Sequence, residues 1–345
     1  MDKKEFIIKL PNKKESVNLK AEGVFIFDAC SLLSIYSFTS KDRNNFLTNL
    51  KKLADENRIW LPYQFLEEFE VHRLEKIQEQ HEAYTKFKNI IDNQFQTIYQ
   101  DRRINDFGNH QFLKKYKQNY IQNIKKIQQN IVSEIEAAKD SHPDWRIDDP
   151  VKRALMKCFE NKIGDPYAED NERYQKIITD GPMRYQKFVP PGYMDVEKNR
   201  TDTTKKKQFG DLIAWFQIMD FAKIFKKPIA IVTIDEKEDW WNKQAGKLFG
   251  PRIELMYEIF EYAGVHLNMF NMEGFMKYAN EELKFDINKG LIEKVKNIKE
   301  EGLDEQSISS QIEVSAQEPV VEQSASTPVI DKQYPDTNNE VKTQE

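Results

Sequence analysis

The chain opens its ordered pattern with a short run, Gly-Val-Phe-Ile-Phe at 23–27, that is apolar throughout and has polar chain on both sides. Such a run predicts a strand buried on both faces, as in a parallel sheet. Asp28 ends it, and a helical stretch from Ser31 to roughly Leu53 follows. Arg58–Leu61 predicts a second strand, stopped by Pro62, and the next helix starts near Tyr63 and carries Glu67 and Glu68. From there the spacing changes. Leu74, Ile77, His81, Tyr84, Lys88, Ile91, Phe95 and Ile98 recur at intervals of three and four, the seam of a long coiled-coil-like helix. A break around 105–109 contains Gly108. A second seam then runs through Leu113, Tyr120, Ile124, Ile127, Ile131 and Ile135. Two long helices across a short break predict an antiparallel hairpin at about 74–140.

Residues 151–163 read as helical. The segment 164–210 is punctuated by Gly164-Asp165-Pro166, Gly181-Pro182 and Pro190-Pro191-Gly192, and reads as a long, loop-rich stretch. Asp211–Phe225 is apolar at helical spacing. Pro228–Thr233 is another buried-strand run, ended by Asp235. A helix over 253–263, a last strand at Val265–Phe270 and helices over 272–283 and 288–300 complete the pattern. Strands alternating with helices predict an α/β domain with a mainly parallel sheet, about residues 1–300, into which the hairpin is inserted.

Composition sharpens this picture. The 345 residues hold 52 Lys+Arg and 57 Asp+Glu, a net charge of −5. That sum hides an asymmetry: residues 301–345 carry ten acidic and two basic residues, leaving the first 300 mildly basic. The tail has one Tyr, no Phe or Trp, and many Ser, Gln, Thr and Pro, so it predicts a disordered acidic segment, open to a partner. The overall acidity therefore does not exclude a nucleic-acid partner. Two cysteines, Cys30 and Cys158, cannot build a disulfide framework. No stretch suits a membrane span, and the N-terminus lacks a signal peptide's apolar region, so a cytoplasmic protein is expected.

The candidate chemistry is acidic. Asp28 and Asp235 each follow an apolar strand run, and open α/β sheets bind ligands beyond the carboxyl ends of their strands. Glu68, on the helix after the second strand, and Asp211, at a helix start, join them at one rim. A strand-ending Asp is also a common helix cap, and each alone fits that role. Four together would repel one another and raise their pKa values unless a divalent cation sat among them. Mg²⁺ or Mn²⁺, which prefer hard oxygen ligands, would suit phosphodiester hydrolysis there.

These residues resemble a known family. Phe25-Ile26-Phe27-Asp28-Ala29-Cys30-Ser31 is similar to the first motif of the PIN-domain nucleases. Pro62-Tyr63-Gln64-Phe65-Leu66-Glu67-Glu68-Phe69 resembles the second, with Glu68 the better match and Glu67 one residue away. Gly210-Asp211-Leu212-Ile213-Ala214-Trp215 resembles the third, and Val232-Thr233-Ile234-Asp235 the fourth. The branch with a long helical insertion is the closest in pattern: it shares Pro190-Pro191-Gly192-Tyr193, Lys237-Glu238-Asp239-Trp240-Trp241 and Gly250-Pro251-Arg252. The likeness spans about residues 20–285. Cys30 stands where many PIN domains have Asn or Ser, and Ile234 where this branch often has Asp. The resemblance implies a three-layer α/β/α core and a Mg²⁺- or Mn²⁺-dependent nuclease, usually an endoribonuclease and often a bacterial toxin or anti-phage effector. Asp28, Glu68, Asp211 and Asp235 would be its catalytic, metal-holding carboxylates, with Asp239 in an outer shell.

Basic residues suggest where RNA would lie. Arg102, Arg103 and the lysines of 114–126 are interleaved with Phe107, Phe112, Tyr116 and Tyr120, a mixture suited to phosphate contact and base stacking. Lys205, Lys206 and Lys207 stand shortly before Asp211, with three residues between, and predict a phosphate-holding loop. The hairpin is also a candidate arm for a homodimer or a protein partner. A non-catalytic PIN-like scaffold, and a nuclease acting on structured DNA, are the competing readings.

Overall fold

The structure, a computed structural model, describes residue 6 and residues 19–141, 145–195 and 207–296. The tail beyond residue 300 lies outside the described residues. Strand β1 (Val24–Phe27) leads into helix α1 (Ala29–Ser34), a 3₁₀ turn at Ile35–Ser37 and helix α2 (Ser40–Asp55). The single helix expected over 31–53 is thus broken: Thr39 starts a new one by accepting the Asp42 N–H on its hydroxyl. Helix α3 (Tyr63–Tyr99) runs unbroken for 37 residues. Helix α4 (Lys114–Ser141) returns, and α5 (Pro150–Cys158) follows. Helix α6 (Glu172–Gln186) lies inside the segment expected to be loop-rich. Asn171 caps it through the Arg173 and Tyr174 N–H groups, and Gly181 lets Phe209 pack flush against it, so Gly-Pro here is helical packing rather than a turn.

Helix α7 (Gly210–Phe225) is buried along most of its length, including Leu212, Ile213, Ala214, Trp215, Ile218, Met219 and Ala222. It ends at Lys226 in the left-handed region and feeds β2 (Ile229–Val232). An antiparallel pair, β3 (Trp241–Gln244) with β4 (Lys247–Pro251), follows where the sequence pattern predicts no strand. Its turn at Ala245 and Gly246 has positive φ at both residues, the geometry that favours a tight hairpin. Helix α8 (Ile253–Ala263), β5 (Leu267–Phe270), α9 (Met272–Glu281) and a helical stretch over 289–296 close the domain.

The main sheet has the order β1-β2-β5, all parallel, with Phe27 level with Val232 and Val232 level with Phe270. Residues 58–61 make only bridges rather than a ladder, Ile59 to Phe25 and Leu61 to Ile163, yet they extend the parallel edge. Both β1 and β2 are buried at every position, as their apolar runs require. Phe25 and Phe27 meet Phe275 of α9 edge-on, at ring distances of 5.5 and 5.0 Å. The α/β class with a mainly parallel sheet is the one the sequence predicts.

In the hairpin, Gln128 bonds Tyr99 and Asp92, and Lys139 bonds Thr85, so partners on one helix fall in number as those on the other rise: α3 and α4 are antiparallel. Ile77, His81, Tyr84, Lys88, Ile91, Phe95 and Ile98 face inward as predicted, but Leu74 is exposed. On α4 the inward face is Lys117, Ile121, Ile124, Gln128, Ile131 and Ile135. Leu113, Tyr120 and Ile127, expected in the seam, are exposed.

Candidate functional site

The register of the sheet builds the site. Because Phe27 pairs with Val232, the residues after them leave the sheet side by side, and the Asp28 N–H donates to the Val232 carbonyl at 3.1 Å. Asp28 caps α1, its Oδ1 accepting the Ser31 N–H at 2.7 Å; its Oδ2 accepts the Thr233 hydroxyl at 2.5 Å. The capping role and the site role therefore coexist in one carboxylate, which has lone pairs to spare. Ser31 is fully buried and donates its own hydroxyl to the Val232 carbonyl. Thr233 also receives the Asp235 N–H at 2.9 Å, which fixes the turn carrying that second aspartate.

Glu68 and Asp211 approach from the helices. The first turn of α7 presses against α3: a β-carbon added at Gly210 would lie 2.7 Å from Glu68 Oε1, so glycine here admits the Glu68 carboxylate without displacing it. Gln64 donates to Glu68 Oε1 at 2.9 Å, and Gln217 of α7 receives the Gln64 N–H at 3.0 Å. Glu68, not resolved from Glu67 by sequence alone, is thus the acid held against the start of α7. Asp211 Oδ2 accepts the Trp240 indole N–H at 3.2 Å. Both tryptophans after Asp239 are buried packing residues, and Trp241 ties its indole N–H to the Asp235 carbonyl.

Lys237 and Asp195 join the site although charge pattern alone predicts no role for them. The Lys237 ammonium lies 2.7 Å from Asp235 Oδ2 and 2.8 Å from Asp195 Oδ2. The signals for Lys237 are its position two residues beyond Asp235 and its place in the Lys237-Glu238-Asp239-Trp240-Trp241 stretch. Asp239, expected in an outer metal shell, is completely buried, and its Oδ2 accepts the N–H groups of Gly192 at 2.9 Å and Met194 at 3.2 Å. It anchors the Pro190–Asp195 loop against the site. Gly192 itself has φ of +92°, and a β-carbon there would collide with the Tyr185 hydroxyl.

Charge crowding shows in the titration of these groups. Burial, then the negative charge of Asp211, pushes Glu68 up to about 8, against the bond from Gln64. Burial pushes Asp211 up to about 7, with Asp195 and Asp239 adding to it and Lys237 opposing. Asp28 is raised by burial in spite of its bonds from Thr233 and Ser31. Cys30 is solvent-accessible, yet its thiol is pushed up to about 12, first by desolvation and then by the carboxylates of Asp28, Asp235 and Glu68. Burial acts to lower the Lys237 ammonium, but Asp195, Asp211 and Asp235 outweigh it and raise it.

Among the described residues, no three His, Cys, Asp or Glu side chains form a ready-made cage for a metal ion. The donor set nevertheless fits Mg²⁺ or Mn²⁺: Mg²⁺ keeps several waters and is commonly held by one or two carboxylates, so a closed cage is not needed. Glu68 and Asp211, raised by burial and by neighbouring carboxylates, are the groups whose ionised forms a divalent cation would favour.

The residues expected to touch substrate are scattered. Arg102 and Arg103 begin a four-residue helix, Arg102–Asn105, at the turn between α3 and α4, and Arg103 pairs with Asp101 at 2.8 Å. At 1.5 Å per residue along α3, that turn is about 50 Å from Glu68. Lys205 and Lys206 lie outside the described residues; the backbone of Lys207 begins a 3₁₀ turn, Lys207–Phe209, directly before α7. Of the other cationic or ionisable candidates on the chain, His72, four residues after Glu68, points outward to Glu75, and Arg184 and Arg252 are engaged by Glu258 and Glu254.

The family described as PIN like domain matches residues 24–255, the span from β1 through the start of α8. No curated protein and no solved structure gives a significant match. Among the described residues no helix is long and apolar enough to cross a membrane. The matched span contains all four carboxylates of the site and covers most of the chain, which therefore belongs to the PIN-like domain family.

Proposed function

We propose that the chain is a divalent-metal-dependent endonuclease that hydrolyses phosphodiester bonds in RNA. The observation that carries this reading is the packing of Glu68 against Gly210 and Asp211, beside Asp28 and Asp235 at the ends of paired parallel strands. Asp28, Glu68, Asp211 and Asp235 would hold Mg²⁺ or Mn²⁺, which when bound activates water and neutralises charge at the phosphate. Thr233 and Ser31 fix Asp28, Gln64 fixes Glu68, and Trp240 fixes Asp211. Lys237 pairs with both Asp235 and Asp195 and offsets part of the negative charge of the rim. Asp239 acts through the Gly192 loop rather than through the metal. Lys205, Lys206 and Lys207, shortly before Asp211 in sequence, would take nearby phosphates, and Arg102 and Arg103 a distant part of a long substrate. The setting proposed with this activity is a cytoplasmic toxin or anti-phage effector, as the motif resemblance implies.

The test is cleavage of tRNA, single-stranded RNA and flapped DNA side by side, with Mn²⁺ and with chelator. RNA cleavage that needs the metal and is abolished by Asp28→Asn and by Asp235→Asn supports the reading. Cleavage of flapped DNA alone would move it to a structure-specific DNA nuclease. No cleavage of any substrate would favour a non-catalytic scaffold.

A further inference from the structure

The helical hairpin has two unlike long sides. Residues one step after an inward-facing position lie on one side, and there Thr85, Asp92 and Tyr99 of α3 are bonded across the pair, Thr85 to Lys139 at 3.0 Å, Asp92 to Gln128 at 2.7 Å and the Tyr99 ring to Lys125 at 5.8 Å. Residues one step before an inward position lie on the other side. There Phe87, Ile90, Tyr116, Tyr120 and Ile127 stand exposed, Tyr116 at 72% and Ile90 at 55%. They precede Lys88, Ile91, Lys117, Ile121 and Gln128 respectively, all inward-facing. One step back turns about 100° around a helix in a fixed sense. A two-fold axis perpendicular to the plane of an antiparallel pair exchanges the helices and keeps the sides. The same step on α3 and on α4 therefore lands on the same face. Within Gln80–Thr97 and Tyr116–Glu134, the one charged residue at these positions is Glu134, at the end nearest the domain body.

We propose that this face is an isologous docking surface for a second copy of the chain, two hairpins stacking into a four-helix bundle. A homodimer sets the same patch against itself, so any strong charge would meet its like. This patch has almost none. Its tyrosines are the residues that interfaces favour, offering an apolar ring and a polar tip. From Tyr116 to Glu134 the face is roughly 27 Å long and, across two helices, roughly 20 Å wide. That is roughly 540 Å² of projected area before side-chain relief, approaching the roughly 800 Å² per partner of a standard interface. RNA would want cations on the same face to meet its phosphates, and within those spans no Lys or Arg lies on it.

Sedimentation equilibrium of the full chain tests this. At micromolar concentration the wild type is expected at twice the chain mass, and Phe87→Glu with Ile127→Glu at the chain mass with unchanged helicity. Gln122→Glu with Gln129→Glu, on exposed positions off this face, is expected to keep the dimer. If the double variant loses helicity, Tyr116→Glu, at the most exposed of the five positions, gives the same readout. A wild type at the chain mass throughout, or a dimer untouched by charges on this face, overturns the proposal. Loss of RNA affinity in Phe87→Glu/Ile127→Glu from a monomeric wild type would assign the face to nucleic acid instead.

Discussion

The Thr233 hydroxyl donates to Asp28 Oδ2 at 2.5 Å, so the last residue-but-two of one candidate motif orients the carboxylate of another across two paired strands. This bond also lowers the proton affinity of Asp28, against the burial that raises it. Thr233→Val keeps the shape and removes the donor. Asp28 should then hold its proton to higher pH, and the acid limb of the cleavage pH profile should move alkaline. The loss of one buried bond predicts about 1–2 kcal/mol less stability. A cleavage profile unchanged from wild type would show that Thr233 does not tune Asp28.

Glu68 and Asp211 repel each other in a buried setting, so neutral isosteres should separate activity from stability. Glu68→Gln and Asp211→Asn should each lower Mn²⁺-dependent cleavage at least about 100-fold. The same variants without metal should melt no lower than wild type, because each removes a charge that burial disfavours. Parallel kinetics and thermal melts in chelator check both halves.

The sign of the pH dependence follows from Glu68, raised from 4.5 to about 8. Between those values the folded protein binds a proton that the unfolded chain has released. Its contribution to stability is complete below pH 4.5 and is lost as pH rises through 8. Asp211, raised from 3.8 to about 7, acts in the same direction. In chelator, the melting temperature should fall as pH is raised from 5.5 to 8.5, and Glu68→Gln should flatten that fall. Added Mn²⁺ should restore stability most at the alkaline end, since metal binding displaces those protons. A wild-type and a Glu68→Gln melting curve with the same pH slope would contradict this.

Lys237 is the cation that the acidic rim carries for itself. Lys237→Met removes the ammonium that pairs with Asp195 and Asp235 and should cost about 2 kcal/mol in chelator, less than for a fully buried pair because the side chain is 23% exposed. Mn²⁺ should recover part of that loss. Denaturant melts with and without Mn²⁺ measure it; an equal loss in both conditions would show that metal and lysine do not share charge-balancing duty.

The sheet was legible because its strands are unbroken apolar runs. β1 and β2 are buried on both faces; Asp28 follows β1 at once, and Asp235 stands three residues beyond the end of β2. Helix α8 fell on the predicted residues because its spacing is clean. The parts that were not legible depend on contacts between distant segments. Gly181-Pro182 reads as a break until Phe209 is seen packed on it. The β3–β4 pair has no alternating pattern, and only its turn residues, Ala245 and Gly246, reveal it. In the hairpin, the seam of α3 was correct apart from Leu74. On α4 the polar Gln128 displaced Ile127 from the interior, because Tyr99 and Asp92 on the facing helix bond it. At the site, Lys237 and the backbone role of Asp239 could not be read from charge alone, since both rest on the Pro190–Asp195 loop folding back.

The central claim is that this carboxylate rim takes a divalent metal, and Mn²⁺ binding followed by electron paramagnetic resonance tests it most directly. The wild-type chain at pH 7.5 should bind one or two Mn²⁺ ions, and Glu68→Gln with Asp211→Asn should bind none at the same concentration while remaining folded. Wild-type protein that leaves all Mn²⁺ free, or a double variant that binds as the wild type does, would contradict the account.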